Sequence, residues 1–197
     1  MYVSRSEVRV VEGRESDFIA VNEAMHAEMR TMAGLRWAML LRSIGHPGKL
    51  ASVAMWLTRE QAQAWRDSDF AAAISDANQV QDMASPLAPA PEYYVATARG
   101  SMTPAAFEAI VDWKVDLASV PEFVNRWNAA FHAIEDRLGS RLLQDLSQPT
   151  HYAGLHVASH EAQLDPETLA PEIEDAGGYG LQPAAIDRFE VVLLTEP

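Results

Sequence analysis

The sequence predicts an α+β fold in which one small unit occurs twice in the 197-residue chain. The order strand, helix, strand, strand can be read in residues 2–57 and again in residues 107–160. A sheet with helices on one face leaves its other face uncovered, and two such units can bury these faces against each other. One chain would then provide what usually takes a dimer.

The first unit opens with a polar-rich strand over Tyr2–Val11, and Ser16 begins an amphipathic helix. Two strand-like runs follow, Leu35–Arg42 and Leu50–Leu57, and the turn signal Gly45–Gly48 separates them. Glycine and proline at the turn and apolar residues on both sides of it are typical of two neighbouring antiparallel strands. This half of the chain therefore supplies a helix and three strands.

A capping box at Thr58–Gln61 predicts a second helix that continues to about Met83. A proline-rich extended connector follows, and Tyr93–Arg99 reads as the fourth strand of the first unit. The segment Gly100–Pro104 is the best boundary between the units. The predicted units are residues 1–102 and 103–197.

The second unit contains the clearest strand pattern, because apolar and polar residues alternate over Phe107–Leu117. Ser119 supplies an N-cap for a helix that is predicted to end near Leu138. The stretch where a second helix would lie is interrupted by proline and glycine and is acidic, so this unit is expected to be poorer in helix. Its remaining strands are predicted at Leu142–Leu146, Tyr152–Ser159 and Ile186–Leu194.

Composition narrows the classes of function. The formal net charge of −13 and the absence of a basic stretch argue against nucleic acid and against an anionic membrane surface as partners. The absence of cysteine excludes disulfides and cysteine-ligated metal centres. No segment approaches the roughly 18 apolar residues of a membrane span, and the N-terminus reads as a charged strand. We therefore expect a cytoplasmic protein.

Three segments resemble the antibiotic biosynthesis monooxygenase superfamily: Met32–Arg36, Ser52–Trp56 and Ala64–Phe70. They match a glycine turn after the first helix, a strand that ends in tryptophan, and a tryptophan–serine–phenylalanine signature in the second helix. The resemblance implies ferredoxin-like units with antiparallel sheets, which would here form an intrachain pseudo-dimeric α/β barrel. The chain would be either a monomer built in this way or a homodimer.

The resemblance also limits the activity. Haem-degrading relatives carry an asparagine in the first strand, a tryptophan in the second helix and a histidine about three turns later. Trp65 matches the tryptophan, but Ser6 or a neighbour takes the asparagine position and Ile74 lies near the histidine position. Loss of the axial imidazole removes the group that would hold the iron, so haem degradation is not expected.

The function implied by the resemblance is a monooxygenase that acts on a small aromatic or polyketide-type molecule without metal, flavin or another cofactor. Such chemistry needs an apolar pocket that admits oxygen and donors that stabilise a substrate anion. The alternative is a non-catalytic protein that binds a ligand or stabilises a partner enzyme. The candidate catalytic residues are Asn22, His26, Arg42 and Trp65, and the candidate substrate-binding residues are Met25, Met29, Trp56 and Phe70.

These candidates place the pocket in the first unit, where a full second helix can cover a cleft. His26 lies on the flank of the apolar stripe of its helix and is a possible base or hydrogen-bond donor. A structural role at the helix edge is the alternative, and the tryptophans are equally consistent with core packing.

Three histidines in the second unit, His151, His156 and His160, lie near one strand. His156 and His160 would share a face but lie roughly 13 Å apart, which is too far for one metal ion. We expect no metal site there and a solvated or edge set of histidines instead.

Overall fold

The computed structural model describes residues 1–87, 92–95, 106–132, 139–165 and 185–197. The chain forms two compact units. Unit 1 comprises Met1–Glu92 together with Val191–Pro197, and unit 2 comprises Tyr93–Glu190. None of the helices in the described residues is long and apolar enough to cross a membrane.

The described residues of unit 1 from Met1 to Leu87 form three main strands, one short strand and four helices. In chain order they are β1 (Tyr2–Val10), α1 (Glu15–Met29), β2 (Leu35–Ser43), β3 (Lys49–Trp56), α2 (Arg59–Arg66), α3 (Asp69–Ala77), α4 (Val80–Met83) and β4 (Ala84–Pro86). The predicted strand, helix, strand, strand order of the first unit is therefore present.

The sheet of unit 1 is antiparallel and centred on β3, which pairs with both β1 and β2. β4 extends it by pairing with the end of β1. The apolar face of α1 packs on this sheet: Phe18 and Val21 join Leu40 and Leu50 in one buried cluster, which Met83 completes. Burial of this face orients the whole of α1 over the sheet.

The predicted single helix from residue 59 to about Met83 is wrong, because the chain forms three shorter helices there. The hydroxyl of Ser68 accepts a hydrogen bond from the backbone N–H of Ala71 and so starts α3 anew. Gln79 adopts a left-handed backbone conformation, with φ of 51°, and separates α3 from α4. Two local breaks thus interrupt a stretch whose apolar pattern continues.

The described residues of unit 2 form one main helix and take part in five strands. The elements are β5 (Glu92–Val95), β6 (Phe107–Lys114), α5 (Val120–His132), β7 (Gly139–Asp145), β8 (His151–Ala158) and β9 (Ala185–Thr195), with short 3-10 turns at Leu117–Ser119 and Glu161–Leu164. β5 begins with the last residue of unit 1, and β9 ends with residues of unit 1.

The sheet of unit 2 is also antiparallel. β6 pairs with β8 and with β9, and β7 pairs with β8 and with β5. Phe123 of α5 packs between Trp113 and Tyr152, with ring-centroid distances of 5.6 and 5.3 Å. This aromatic contact fixes α5 on the sheet.

The compact units differ from the predicted ranges 1–102 and 103–197 at both ends. The strand predicted at Tyr93–Arg99 begins at Glu92, and Tyr93 pairs with Asp145 of β7 within unit 2. Alternation identifies a strand but not its partners, so this pairing with β7 was not predicted. The predicted boundary Gly100–Pro104 and the acidic, glycine-rich segment lie outside the described residues.

Candidate functional site

A cleft of about 170 Å³ lies in unit 1 between α1, α2 and the strands β1 and β3. Helix α1 contributes residues at spacings of three, four and seven, which place them on one face of the helix. α2 contributes Trp65 and Arg66, and the strands contribute small side chains and Arg5. The residues from α1 are Asn22, Met25, His26 and Met29.

The position of α2 is fixed at both ends. The Thr58 hydroxyl accepts from the N–H of Gln61, and the Gln61 side chain accepts from the N–H of Thr58, as the predicted capping box requires. At the other end, Arg66 donates to the Tyr2 hydroxyl at 3.2 Å and to Glu92 at 2.9 Å. Trp65 is thereby held over the cleft, and its ring centroid lies 6.4 Å from that of Phe70.

His26 is a buried titratable group of the cleft with one ring nitrogen that has no described partner. It is 5 % exposed, and its Nδ1 lies 2.9 Å from Oγ1 of Thr195. Burial lowers its pKa from 6.5 to about 4, so the ring is neutral at pH 7. Its other nitrogen, Nε2, has no hydrogen-bond partner among the described residues. A buried polar atom without a partner is rare and costs on the order of 1–3 kcal/mol, which makes it a candidate ligand contact.

Asn22 lies one turn before His26 and is also buried. Its side-chain amide nitrogen donates to the backbone carbonyl of Phe18 at 2.9 Å, which orients the amide. Met25 and Met29 extend the same helix face as apolar wall. α1 therefore presents two polar groups between flexible apolar side chains.

The arginines of the cleft have carboxylate partners within unit 1. Arg5 pairs with Glu7, which also contacts the Lys49 ammonium at 2.9 Å. Burial alone would raise the pKa of Glu7, but Arg5 and Lys49 outweigh it and hold the pKa below its usual value. Arg66 pairs with Glu92. Much of the positive charge at the cleft wall is therefore balanced by carboxylates of the protein itself.

Five of the eight predicted site residues line this cleft: Asn22, Met25, His26, Met29 and Trp65. The other three do not line it. Arg42 forms an ion pair of 2.7 Å with Glu15, Trp56 is 1 % exposed within the sheet, and Phe70 packs against Trp65.

No pattern in the sequence indicated Thr195 or the two arginines of the cleft. Thr195 is separated from His26 by 169 residues, and no local pattern relates the two. Arg66 directly follows Trp65, and Arg5 lies in a strand with several charged residues, so neither stood out from solvated neighbours.

His156 in unit 2 corrects the expectation of solvated or edge histidines. It is fully buried, its Nδ1 lies 2.9 Å from the Ser140 hydroxyl, and its ring centroid is 6.0 Å from that of Trp127. Burial lowers its pKa to about 3. His151 is half-buried and His160 is exposed. Within the described parts of the chain, no three histidine or carboxylate side chains are grouped as a metal site requires.

Comparison with known proteins gives a family match within unit 1. Residues 1–77 match the family model "antibiotic biosynthesis monooxygenase". This match confirms the resemblance predicted from the sequence. No curated protein sequence matches the chain.

Solved structures with similar folds cover nearly the whole chain. A Fusobacterium nucleatum protein with a provisional monooxygenase assignment has a TM-score of 0.77 at 10% identity, covering 99% of this chain and 94% of its own. A Lactobacillus acidophilus protein with the same provisional assignment has a TM-score of 0.68 at 12% identity, covering 99% and 95%. A haem-binding protein from Thermus thermophilus has a TM-score of 0.67 at 6% identity, covering 98% and 91%.

At these identities the likenesses show the fold alone, and proteins of different roles share it. The predicted fold class, α+β with two ferredoxin-like units, is confirmed. The fold by itself therefore does not define the activity.

Proposed function

We propose that this chain, which carries an antibiotic biosynthesis monooxygenase domain in residues 1–77, is a cofactor-independent monooxygenase of a small aromatic or polyketide-type molecule. The observation that carries the proposal is the neutral, buried His26 in a cleft of unit 1, with Nε2 lacking a partner among the described residues. Met25, Met29 and Trp65 form apolar walls that suit an aromatic ring.

The reaction places one oxygen atom of O₂ in the substrate and releases the other as water. In an anthrone-type substrate, a methylene carbon loses two C–H bonds and gains a C=O bond, so the substrate supplies all the electrons. Its enolate is the electron-rich form that reacts with O₂. Stabilising that anion away from water is therefore the task of the protein.

His26 is suited to stabilise the anion as a hydrogen-bond donor. A histidine with a pKa near 4 is neutral and a weak base at pH 7, so its N–H can donate without carrying a charge. Donation from Nε2 to the substrate oxygen would satisfy a ring nitrogen for which the structure shows no hydrogen bond. Asn22 lies on the same helix face one turn away, and Trp65 would stack on the ring.

The alternative function, binding of a ligand without turnover, would use the same cleft. His26 is 5 % exposed, which is the observation that favours it, since a closed site can hold a ligand without exposing it to a co-reactant. Binding without turnover predicts that ligand contact changes tryptophan fluorescence while oxygen consumption stays at background.

Oxygen uptake with a panel of anthrone-type and quinol substrates tests the proposal. We expect turnover by the wild type and a loss of about 10- to 100-fold in kcat for His26→Leu, because an oxyanion donor is lost. Trp65→Phe and Asn22→Ala should weaken turnover less. His46→Leu is the matched control, since His46 is exposed and outside the cleft. Fluorescence change without oxygen uptake for every substrate would favour the binding protein.

A further inference from the structure

We infer that Ser6 and Ser52 are specificity-determining residues, which recognise two neighbouring oxygen substituents on one edge of an aromatic ligand in the cleft. Both side chains line the cleft of unit 1, together with Ser4 and Ala54. The inference narrows the substrate class of the proposed function, and its consequence for turnover rests on that proposal. Recognition of the ligand itself can be measured without turnover.

The two serines are directly opposed on neighbouring strands. β1 and β3 are antiparallel, and their register pairs Ser6 with Ser52 and Ser4 with Ala54. Opposed side chains lie on one face of a sheet, with Cβ atoms about 5 Å apart. Ser4 lies two residues before Ser6, so it shares this face at a distance of roughly 7 Å. Three serine side chains therefore form one floor of the cleft, the hydroxyl floor.

The same face of the sheet changes its character along the strands. Val8 is paired with Leu50, and both contribute to the apolar cluster that contains Phe18 of α1. At the next pair on this face, Ser6 and Ser52, the side chains are small and polar, and the cleft lies there. A face that served helix packing alone would continue the apolar pattern. The change from leucine and valine to serine therefore coincides with the change from packed core to cleft.

The hydroxyls of this floor are available to a ligand. Ser4, Ser6 and Ser52 are half-buried, and no described residue forms a hydrogen bond with their hydroxyl groups. His26 lines the same cleft with an exposure of 5 %, and its Nε2 has no partner among the described residues. A buried polar atom in this state points to a polar group of a ligand, independently of the serines.

The chemistry of the walls decides which substituents the ligand carries. Met25 and Trp65 provide apolar surface for a ring. Serine hydroxyls both donate and accept hydrogen bonds, so they suit phenolic hydroxyls and carbonyl oxygens. A carboxylate or phosphate is a poorer match, because Arg5 and Arg66 are ion-paired with carboxylates of the protein. Two opposed serines can bond two adjacent oxygens at once, and this favours a ring with two neighbouring neutral oxygen substituents.

Calorimetric titration of the full chain with 2,3-dihydroxynaphthalene and with 2-naphthol tests this recognition, because the two ligands differ by one hydroxyl. The titrations are made under nitrogen, so that no oxidation accompanies binding. We expect the wild type to bind the diol about 3- to 10-fold more tightly, which corresponds to one additional hydrogen bond. Ser6→Ala and Ser52→Ala should each bind the two ligands almost equally, with little change in the affinity for 2-naphthol.

Ser85→Ala is the matched control, since Ser85 is an exposed strand serine outside the cleft, and it should keep the preference for the diol. A wild type that binds the two ligands equally, or binds neither, would overturn the inference. A preference that survives in both Ser6→Ala and Ser52→Ala would overturn it as well. Preference for the diol without oxygen uptake in air would contradict the proposed monooxygenase and leave the recognition by the two serines in place.

Discussion

Gly154 of β8 has no side chain, and this leaves space for the buried imidazole of His156 in unit 2. A Cβ placed on Gly154 of β8 would lie 2.8 Å from Nε2 of His156 and 3.5 Å from the indole nitrogen of Trp127. The imidazole cannot easily move away, because it is fully buried and bonded to Ser140 at 2.9 Å. Glycine here serves close packing, not a special backbone angle.

We therefore expect Gly154→Ala to lower the free energy of unfolding by about 1–3 kcal/mol through overpacking. Alanine would otherwise suit a strand better than glycine, so destabilisation identifies the contact with His156 as its cause. Denaturant unfolding measures it. Gly45→Ala is the control, because its Cβ would meet nothing within 4 Å. Equal stability of the two variants would contradict the packing argument.

At the level of single residues, the residues that α1 contributes to the cleft could be predicted from their helical spacing. The four α1 residues of the cleft lie on one helix face, and their sequence separations alone indicate this. Trp56 and Arg42 were selected by residue type, and residue type does not distinguish a core tryptophan from a cleft tryptophan. Thr195 could not be found, because its contact with His26 depends on tertiary structure.

The turn that leads from α1 into β2 also supports α2. Gly34 has φ of 88°, and its carbonyl accepts from the N–H of Leu57 at 2.8 Å. The Gln61 side chain, which caps the N-terminus of α2 at Thr58, lies directly over Gly34. The turn at Gly34 and the N-terminus of α2 are thus in contact through the side chain of Gln61.

Gly34→Ala should destabilise unit 1 and loosen α2. An added Cβ would clash with Oε1 of Gln61, so the capping side chain must leave, and a left-handed alanine costs a further ~1 kcal/mol. We expect a lower Tm and, where a substrate is known, a higher KM through Trp65. Gly13→Ala separates the cost of the left-handed backbone from the cost of the clash with Gln61. Gly13 has φ of 79°, but a Cβ there would meet no atom within 4 Å. Equal losses for both variants would exclude a role for the Gln61 contact.

At the level of elements, local signals were reliable where capping residues and alternation agree. The boundaries of β1, β2 and β3 differ from the predicted ones by at most one residue at either end, and the Thr58 capping box forms as predicted. The breaks in the second helix were missed because Ser68 sits inside a continuing apolar pattern. The pairing of β5 with β7 was not predicted, because pairing is a long-range property.

Among the side chains that the structure describes, two buried histidines are neutral at pH 7, one in each unit. Burial lowers the pKa of His26 to about 4 and that of His156 to about 3, whereas both would titrate near 6.5 in an unfolded chain. Below pH 6.5 the unfolded chain therefore binds protons that the folded chain does not. Stability from these groups is fully present above pH 6.5 and declines as the pH falls toward 4.

We expect the free energy of unfolding to fall between pH 6.5 and pH 5 by about 1 kcal/mol per pH unit for each histidine. Ordinary carboxylates titrate below pH 5. The change of the unfolding free energy with pH between 6.5 and 5 therefore reports on the histidines. Denaturant unfolding at half-unit pH steps measures it, and His26→Gln should remove about half of the slope, whereas His46→Gln should leave it unchanged because His46 is exposed. A wild-type stability that stays flat over this window would mean that the buried histidines accept protons without unfolding.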